Sequence, residues 1–129
     1  GGGDAAAPVF VASAMRDSVD GATPLQKMQL IKGWVDADGA KHNEVIDIAG
    51  SQEGRYDSLC VVYRDESFDA SLASYYYLRA VEHAVPRWHI YDCEKISQDQ
   101  RPAVCSDGSY PETVQEMAWT SPIWYRPGG

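Results

Sequence analysis

The strongest pattern in the chain is LQKMQLIKGWVDADGAKHNEVIDIA, residues 25–49. Its first part, 25–35, has a period of two, as in a strand that turns one face toward a core, and the expected inward side chains are Met28, Leu30 and Trp34. Asp-Ala-Asp-Gly follows at 36–39, where Asp side chains cap a turn and Gly accepts a positive φ. A second extended segment, 41–49, completes a predicted β-hairpin.

Extended segments are also predicted on both sides of this hairpin, at 8–15, 58–64, 74–85, 86–91 and 121–125. For 74–85 a helix is the alternative, because Leu, Arg, Ala and Glu form helices readily, but the Tyr triplet and Pro86 favour a strand. A short helix is predicted at 112–118 and a loop at 65–73. Strands that do not alternate with helices predict an all-β chain, an antiparallel β-sandwich of immunoglobulin-like or jelly-roll-like type with a long disulfide-capable loop.

The 129 residues suit one β-sandwich domain at 8–125, with a flexible lead at 1–7 and a tail at 126–129. The net charge of -8 argues against nucleic acid or anionic membrane as a partner, because both require a basic surface. No apolar run approaches ~18 residues, so membrane insertion is not expected. Since the chain begins Gly1-Gly2-Gly3 without Met, we expect a processed product or a piece of a longer chain.

Three cysteines are present, at positions 60, 93 and 105. Cys93 and Cys105 bracket a polar stretch with little core of its own, and a disulfide there would stabilise the fold by roughly 3 kcal/mol in the chain-entropy model. This pairing predicts an oxidising, extracytoplasmic compartment. Three reduced thiols in a cytosolic protein are the alternative. Cys60 lies in an apolar run and is predicted to be a buried thiol.

Catalytic and metal-binding patterns are sparse. His83 and His89 would share one face of an extended segment and, with a carboxylate, could bind a metal, although two hydrogen-bonded histidines are the simpler interpretation. Asp65 and Asp69 could contribute to a surface calcium site, but calcium requires six to eight converging oxygens. No nucleophile elbow or phosphate-binding Gly-rich loop is found, so no catalytic residue and no cofactor are predicted.

Aromatic residues provide candidates for an interface. Arg87, Trp88 and His89 form a compact polar and aromatic group, and Trp and Arg dominate binding energy at protein interfaces. Trp119 and Trp124 are the other candidates. The alternative for the first group is a structural Trp that closes one end of the sandwich, with Arg87 paired to a carboxylate.

Several stretches together resemble the C-terminal region of the bacterial family of domain of unknown function 3604. They run in order over nearly the whole chain: PLQKMQLIKGWVD (24–36) with Gly39 and His42, VIDIA (45–49), FDA (68–70), YYYLRAVE (75–82), PRWHIY (86–91) and QEMAWTSPIWY (115–125). The resemblance implies an earlier, metal-dependent phosphoesterase-like part that this chain lacks. It therefore implies no catalytic residue at any position here, and it implies export from the cytoplasm.

The function expected from these observations is a non-catalytic accessory β-sandwich of a larger secreted or periplasmic hydrolase-like protein. Its partner would be the missing phosphoesterase-like domain. The alternative is a stand-alone secreted structural or binding subunit that assembles with copies of itself through edge strands. An enzymatic reading would need a site built from His83, His89 and acidic groups.

Overall fold

The computed structural model describes residues 5–128, which contain nine β-strands and one short α-helix. The elements are β1 Val9–Met15, β2 Leu25–Val35, β3 Lys41–Gly50, β4 Ser58–Arg64, β5 Ser74–Glu82, β6 Val85–Pro86, α1 Trp88–Glu94, β7 Thr113–Val114, β8 Met117–Trp119 and β9 Ile123–Tyr125. Two single 3-10 turns, Gln98–Gln100 and Ala103–Cys105, lie between α1 and β7.

The strands form three antiparallel sheets. In the largest, β3, β2, β5 and β8 lie side by side, and β9 pairs with β5 next to β8. β1 pairs with β4 along the full length of both strands, from Val9 opposite Arg64 to Met15 opposite Ser58. The short strands β6 and β7 form a separate ladder.

The core lies between the β1–β4 sheet and the five-stranded sheet. Ala12 of β1 and Leu59 of β4 pack with Leu25 and Met28 of β2, and partly buried side chains of β3 and β5 surround them. Leu30 of β2 is almost fully buried on the same side of the sheet. Because side chains alternate along a strand, the residues between these point to the opposite side of the five-stranded sheet, which is called the outer face below.

The predicted hairpin is present as β2 and β3. The Asp36 carboxylate accepts hydrogen bonds from the backbone amides of Asp38 and Ala40, and Gly39 has a φ of 83°. The carboxylate and the glycine therefore stabilise the turn in the way their sequence indicated. Met28 and Leu30 are buried as expected, whereas Trp34 is only partly buried and stacks on the ring of His42.

Two local predictions were wrong. Residues 86–91 were expected to be extended, but β6 ends at Pro86 and α1 begins at Trp88. Between the two elements, the Arg87 amide donates a hydrogen bond to the Glu112 carbonyl, which is the last backbone bond between these two chain segments before the helix. Residues 112–118, expected to be helical, form β7 and β8. β7 completes a ladder with β6, and β8 covers the edge of β5, so the hydrogen-bonding needs of neighbouring strands outweigh local helix propensity.

The prediction of a mostly β chain with antiparallel sheets is confirmed, and so is the disulfide between Cys93 and Cys105. The type of sandwich stays a prediction. No helix within residues 5–128 is long and apolar enough to cross a membrane.

Candidate functional site

Aromatic side chains of three strands meet on the outer face. Tyr75 and Tyr77 are two positions apart on β5, and their rings are nearly parallel, with centroids 6.3 Å apart. Trp124 of β9 is opposite Tyr75, and Trp119 of β8 is opposite Arg79. Directly opposed residues of antiparallel strands share a face, so all of these side chains lie on one side of the sheet.

The two tryptophans of this face are largely accessible to solvent: Trp119 is 61% exposed and Trp124 is 67% exposed. An indole contributes a large apolar area, and contiguous exposed apolar surface usually marks a binding site. The structure therefore brings together two of the predicted interface residues. They come from separate strands, and β5 sets the distance between them.

Gly33 of β2 allows the aromatic residues to lie close to the sheet. It is opposite Tyr75, and a Cβ atom at this position would overlap the tyrosine ring. The ring therefore lies across the glycine backbone, beside Trp124, whose ring centroid is 5.3 Å away. A glycine inside an otherwise regular strand indicates such a close approach, and this was the signal in the sequence.

Polar groups continue the outer face beyond Tyr77. The Gln29 amide donates to an Asp47 carboxylate oxygen at 2.7 Å and accepts a bond from Arg79 Nε at 2.8 Å, while Lys27 Nζ is 3.3 Å from Asp47. The hydrogen bond from Gln29, followed by that from Lys27, holds the pKa of Asp47 below its ordinary value. The outer face thus combines aromatic surface with an ordered polar row.

A cleft of about 550 Å³ opens at the end of the outer face, between the β2–β3 turn and the end of β9. The side chains available in it include the rings of Tyr75 and Trp124, the Asn43 amide, and the cations of Lys41 and Arg126. Polar and aromatic groups at one end of the sheet are suited to holding a small polar ligand.

A buried ion pair lies on the inner side of the same sheet. Lys32 Nζ is 2.6 Å from an Asp65 carboxylate oxygen, and their side chains are 6% and 1% exposed. Ser67 and Tyr76 donate hydroxyl hydrogen bonds of 2.8 Å to the same carboxylate. Burial opposes ionisation of Asp65, but the hydrogen bonds from Lys32, Ser67 and Tyr76 outweigh it and hold its pKa below the ordinary value.

Sequence reasoning did not find this pair, because Lys32 was interpreted only as a position in an alternating strand. The available signal was its place between Leu30 and Trp34 on the core-facing side, where a lysine requires a partner. A cavity of about 340 Å³, lined in part by Lys32, Glu44 and Phe68, adjoins the pair. With its hydrogen bonds satisfied, the pair joins the loop after β4 to the sheet.

Arg87, Trp88 and His89 lie apart from the two tryptophans of the outer face, in the disulfide-bridged segment. His89 packs edge-on against Trp88 and Tyr110, with ring centroids 5.9 Å and 6.2 Å away. These residues line a groove of about 470 Å³ beside the disulfide. Trp88 is 76% exposed, so it does not close one end of the sandwich.

The two histidines do not share one face of an extended segment. The His83 ring nitrogen bonds to the Gly54 carbonyl oxygen, and His89 lies in α1 after the chain has turned. Asp65 forms an ion pair with Lys32, and the Asp69 carboxylate accepts hydrogen bonds from the amide and hydroxyl of Ser71. Within residues 5–128 no three His, Cys, Asp or Glu side chains are grouped to hold a metal ion.

Cys60 corrects another expectation. The sequence predicted a buried thiol, but the side chain is exposed. It is opposite Ser13 in the β1–β4 ladder, and both lie on the surface of that sheet away from the core. A run of apolar residues on a two-stranded sheet does not show which side is buried, and Val11 and Val62 of the same surface are 74% and 68% exposed.

A family model described as Protein of unknown function (DUF3604) matches this chain in two segments, 2–58 and 52–127. The segments overlap in the loop between β3 and β4. No curated protein matches the chain. No solved structure matches it either. Since the family model covers nearly every residue from 2 to 127, the chain belongs to the DUF3604 family.

Proposed function

We propose that this chain is a non-catalytic accessory domain that docks through its outer face onto a phosphoesterase-like domain of a larger, bacterial, secreted or periplasmic protein. The observation that carries the proposal is the pair of exposed tryptophans, Trp119 and Trp124, on one face with Tyr75 and Tyr77. Aromatic residues that are exposed together are typical anchors at interfaces.

The rest of the face is suited to docking. Lys27, Asp47, Gln29 and Arg79 hydrogen-bond to one another in a row, so part of the polar surface of this face is already paired within the sheet. β8 and β9 are short strands held by β5, which gives the tryptophans a rigid base. A rigid aromatic anchor loses little conformational entropy when it is buried.

The disulfide supports the compartment in this proposal. Cys93 and Cys105 are bridged, and such bonds persist mainly outside the reducing cytosol. The resemblance to a C-terminal region supports the position of this domain after a catalytic part. Arg87, Trp88 and His89 would provide a second, smaller contact, since they lie in a different part of the structure.

The test begins with the native polypeptide, whose intact mass is measured under non-reducing conditions. We expect a mass several times 14.2 kDa. Hydrogen exchange is then compared between that protein and the isolated chain. Amides of residues 117–125 should be more protected in the native protein. The Trp119→Ala/Trp124→Ala double variant should lose this extra protection, whereas the matched Trp88→Ala variant should keep most of it. Equal exchange in both proteins would contradict docking.

Self-assembly is the second candidate, and the surface of the β1–β4 sheet favours it. Val9, Val11, Met15 and Val62 are exposed there, and β1 has β4 as its one strand partner in the described part of the chain. An apolar strand with a free edge can pair with another copy. A native mass near 14.2 kDa, with sedimentation as a dimer or larger species that Val11→Lys disrupts, would select this candidate.

A further inference from the structure

The cleft at the end of the outer face has a charge opposite to that of the whole protein. Lys41 and Arg126 line it, and within residues 5–128 neither side chain forms a salt bridge. Among the described residues, no carboxylate lines the cleft. The chain carries a net charge of -8, so two free cations in one concave site form a local basic spot on an acidic surface. Such a spot attracts a small anion.

The Asp36 carboxylate of the β2–β3 turn makes its hydrogen bonds within the hairpin, and among the described residues it makes none to Lys41 or Arg126. The Asp36 carboxylate bonds to His42 Nε2 at 2.7 Å and to the turn amides of Asp38 and Ala40. The hydrogen bond from His42 is the main cause of the lowered pKa of Asp36. The Asp36 carboxylate is therefore hydrogen-bonded within the turn, and the N–H donors of Lys41 and Arg126 are available to a ligand.

Two aromatic rings form the wall of the cleft. Tyr75 lies across Gly33, and Trp124 is tilted by 48° to it, so the planes form an open corner. A sugar ring has an apolar face of C–H groups that packs on an aromatic plane, and hydroxyl groups at its edge that need hydrogen bonds. The Asn43 amide, opposite Gly33 in the ladder, provides a donor and an acceptor beside the rings.

We propose that this cleft binds an acidic saccharide, a sugar ring that bears a carboxylate or sulfate group. The ring packs against Tyr75 and Trp124, the anionic group is held by Lys41 and Arg126, and Asn43 bonds to hydroxyls. A nucleic acid is disfavoured, because the surrounding acidic surface repels a long polyanion. Every side chain in this proposal belongs to this chain, so binding is tested on the isolated chain, apart from the docking that also uses Trp124.

The experiment titrates the isolated 129-residue chain with four probes and follows tryptophan fluorescence and binding heat. Two probes are acidic saccharides, trigalacturonate and a sulfated chondroitin disaccharide. Cellotriose is a neutral saccharide, and benzoate is an aromatic carboxylate without a sugar ring. We expect saturable binding of at least one acidic saccharide, with affinity that falls as NaCl is raised. Cellotriose should bind at least about tenfold more weakly, which corresponds to roughly 1.4 kcal/mol.

Variants locate the binding. Arg126→Gln and Lys41→Gln should each weaken binding by about fivefold, the upper range for one exposed ion pair. Trp124→Ala should abolish it. Lys95→Gln, in the disulfide-bridged segment and outside the cleft, should leave the affinity unchanged. Unfolding midpoints of all variants confirm that each one folds.

Three outcomes overturn the inference. The first is no saturable binding of either acidic saccharide at millimolar concentration. The second is equal binding of cellotriose, or an Arg126→Gln variant with unchanged affinity. The third is binding of benzoate as tight as that of the saccharides, which would make an aromatic carboxylate the ligand. Loss of docking in the native protein, with binding intact here, would overturn the proposed function alone.

Discussion

The layer between the two sheets and the segment between β6 and β7 are held together by different forces. In the layer, apolar side chains from β1, β2, β4 and β5 are buried together, with one satisfied ion pair at the end. In the segment from Val85 to Val114, Cys93 is the one buried residue. The conformation of this segment is held by the disulfide and by the two-stranded β6–β7 ladder.

This difference teaches where sequence patterns can be trusted. Strands that share a core carry patterns that burial favours, an alternation in β2 and an apolar run in β4, and both strands begin and end at the residues predicted. The segment has no core to impose a pattern. Its local structure depends on the chain ends that hold it and on the disulfide, so its helix was not predicted.

The largest effect is expected from Asp65→Ala. It leaves Lys32 buried without its counter-charge, which costs about 3–5 kcal/mol in typical proteins. Urea denaturation measures the loss of unfolding free energy. Asp69→Ala is the matched control, since the exposed Asp69 carboxylate accepts its bonds from Ser71 in the same loop, and it should change the unfolding free energy far less. Similar losses in both variants would show that the pair does not hold this end of the layer.

Removal of the disulfide by Cys93→Ser/Cys105→Ser should act on the segment and spare the layer. A closed loop of this size is worth roughly 3 kcal/mol in the chain-entropy model. We expect faster hydrogen exchange in residues 88–111, with protection of β2 and β5 unchanged. The Cys60→Ser variant is the control, because its thiol is free and exposed. Cooperative loss of protection in β2 would mean that the two regions form a single unit.

Truncation of single apolar side chains should separate the regions further. Leu30→Ala, in the layer, should cost about 2–5 kcal/mol, because a cavity remains. Trp88→Ala, in the segment, removes a larger side chain but one that is 76% exposed, and should change the unfolding free energy by less than about 0.5 kcal/mol. A cost for Trp88→Ala close to that for Leu30→Ala would show that the segment has a core after all.

Acid should have a smaller effect than Asp65→Ala, because moderate acid protonates only part of this carboxylate, whose pKa is lowered in the folded state. The pKa of Asp65 is lowered in the folded state, so its contribution to stability is complete above its ordinary value of 3.8 and is lost as the pH falls below that value. The urea concentration at the unfolding midpoint should therefore decrease as the pH is lowered from about 4. In that range the unfolded chain protonates this carboxylate more readily than the folded chain does. Asp65→Asn cannot take up that proton and should show a shallower dependence. An equal slope in both proteins would assign the acid sensitivity to other carboxylates.

The sequence by itself determined the hairpin and the strands with a period of two, and it favoured the disulfide between Cys93 and Cys105 over reduced thiols. Each depends on residues that are near one another in the chain or on the requirement that one face of a strand be buried. Tertiary structure alone decided the Lys32–Asp65 pair, the exposed side of Cys60, and the place of Trp119 and Trp124 beside β5. These depend on which strands pair and in which register, and in an antiparallel sheet register comes from the packing of the whole core.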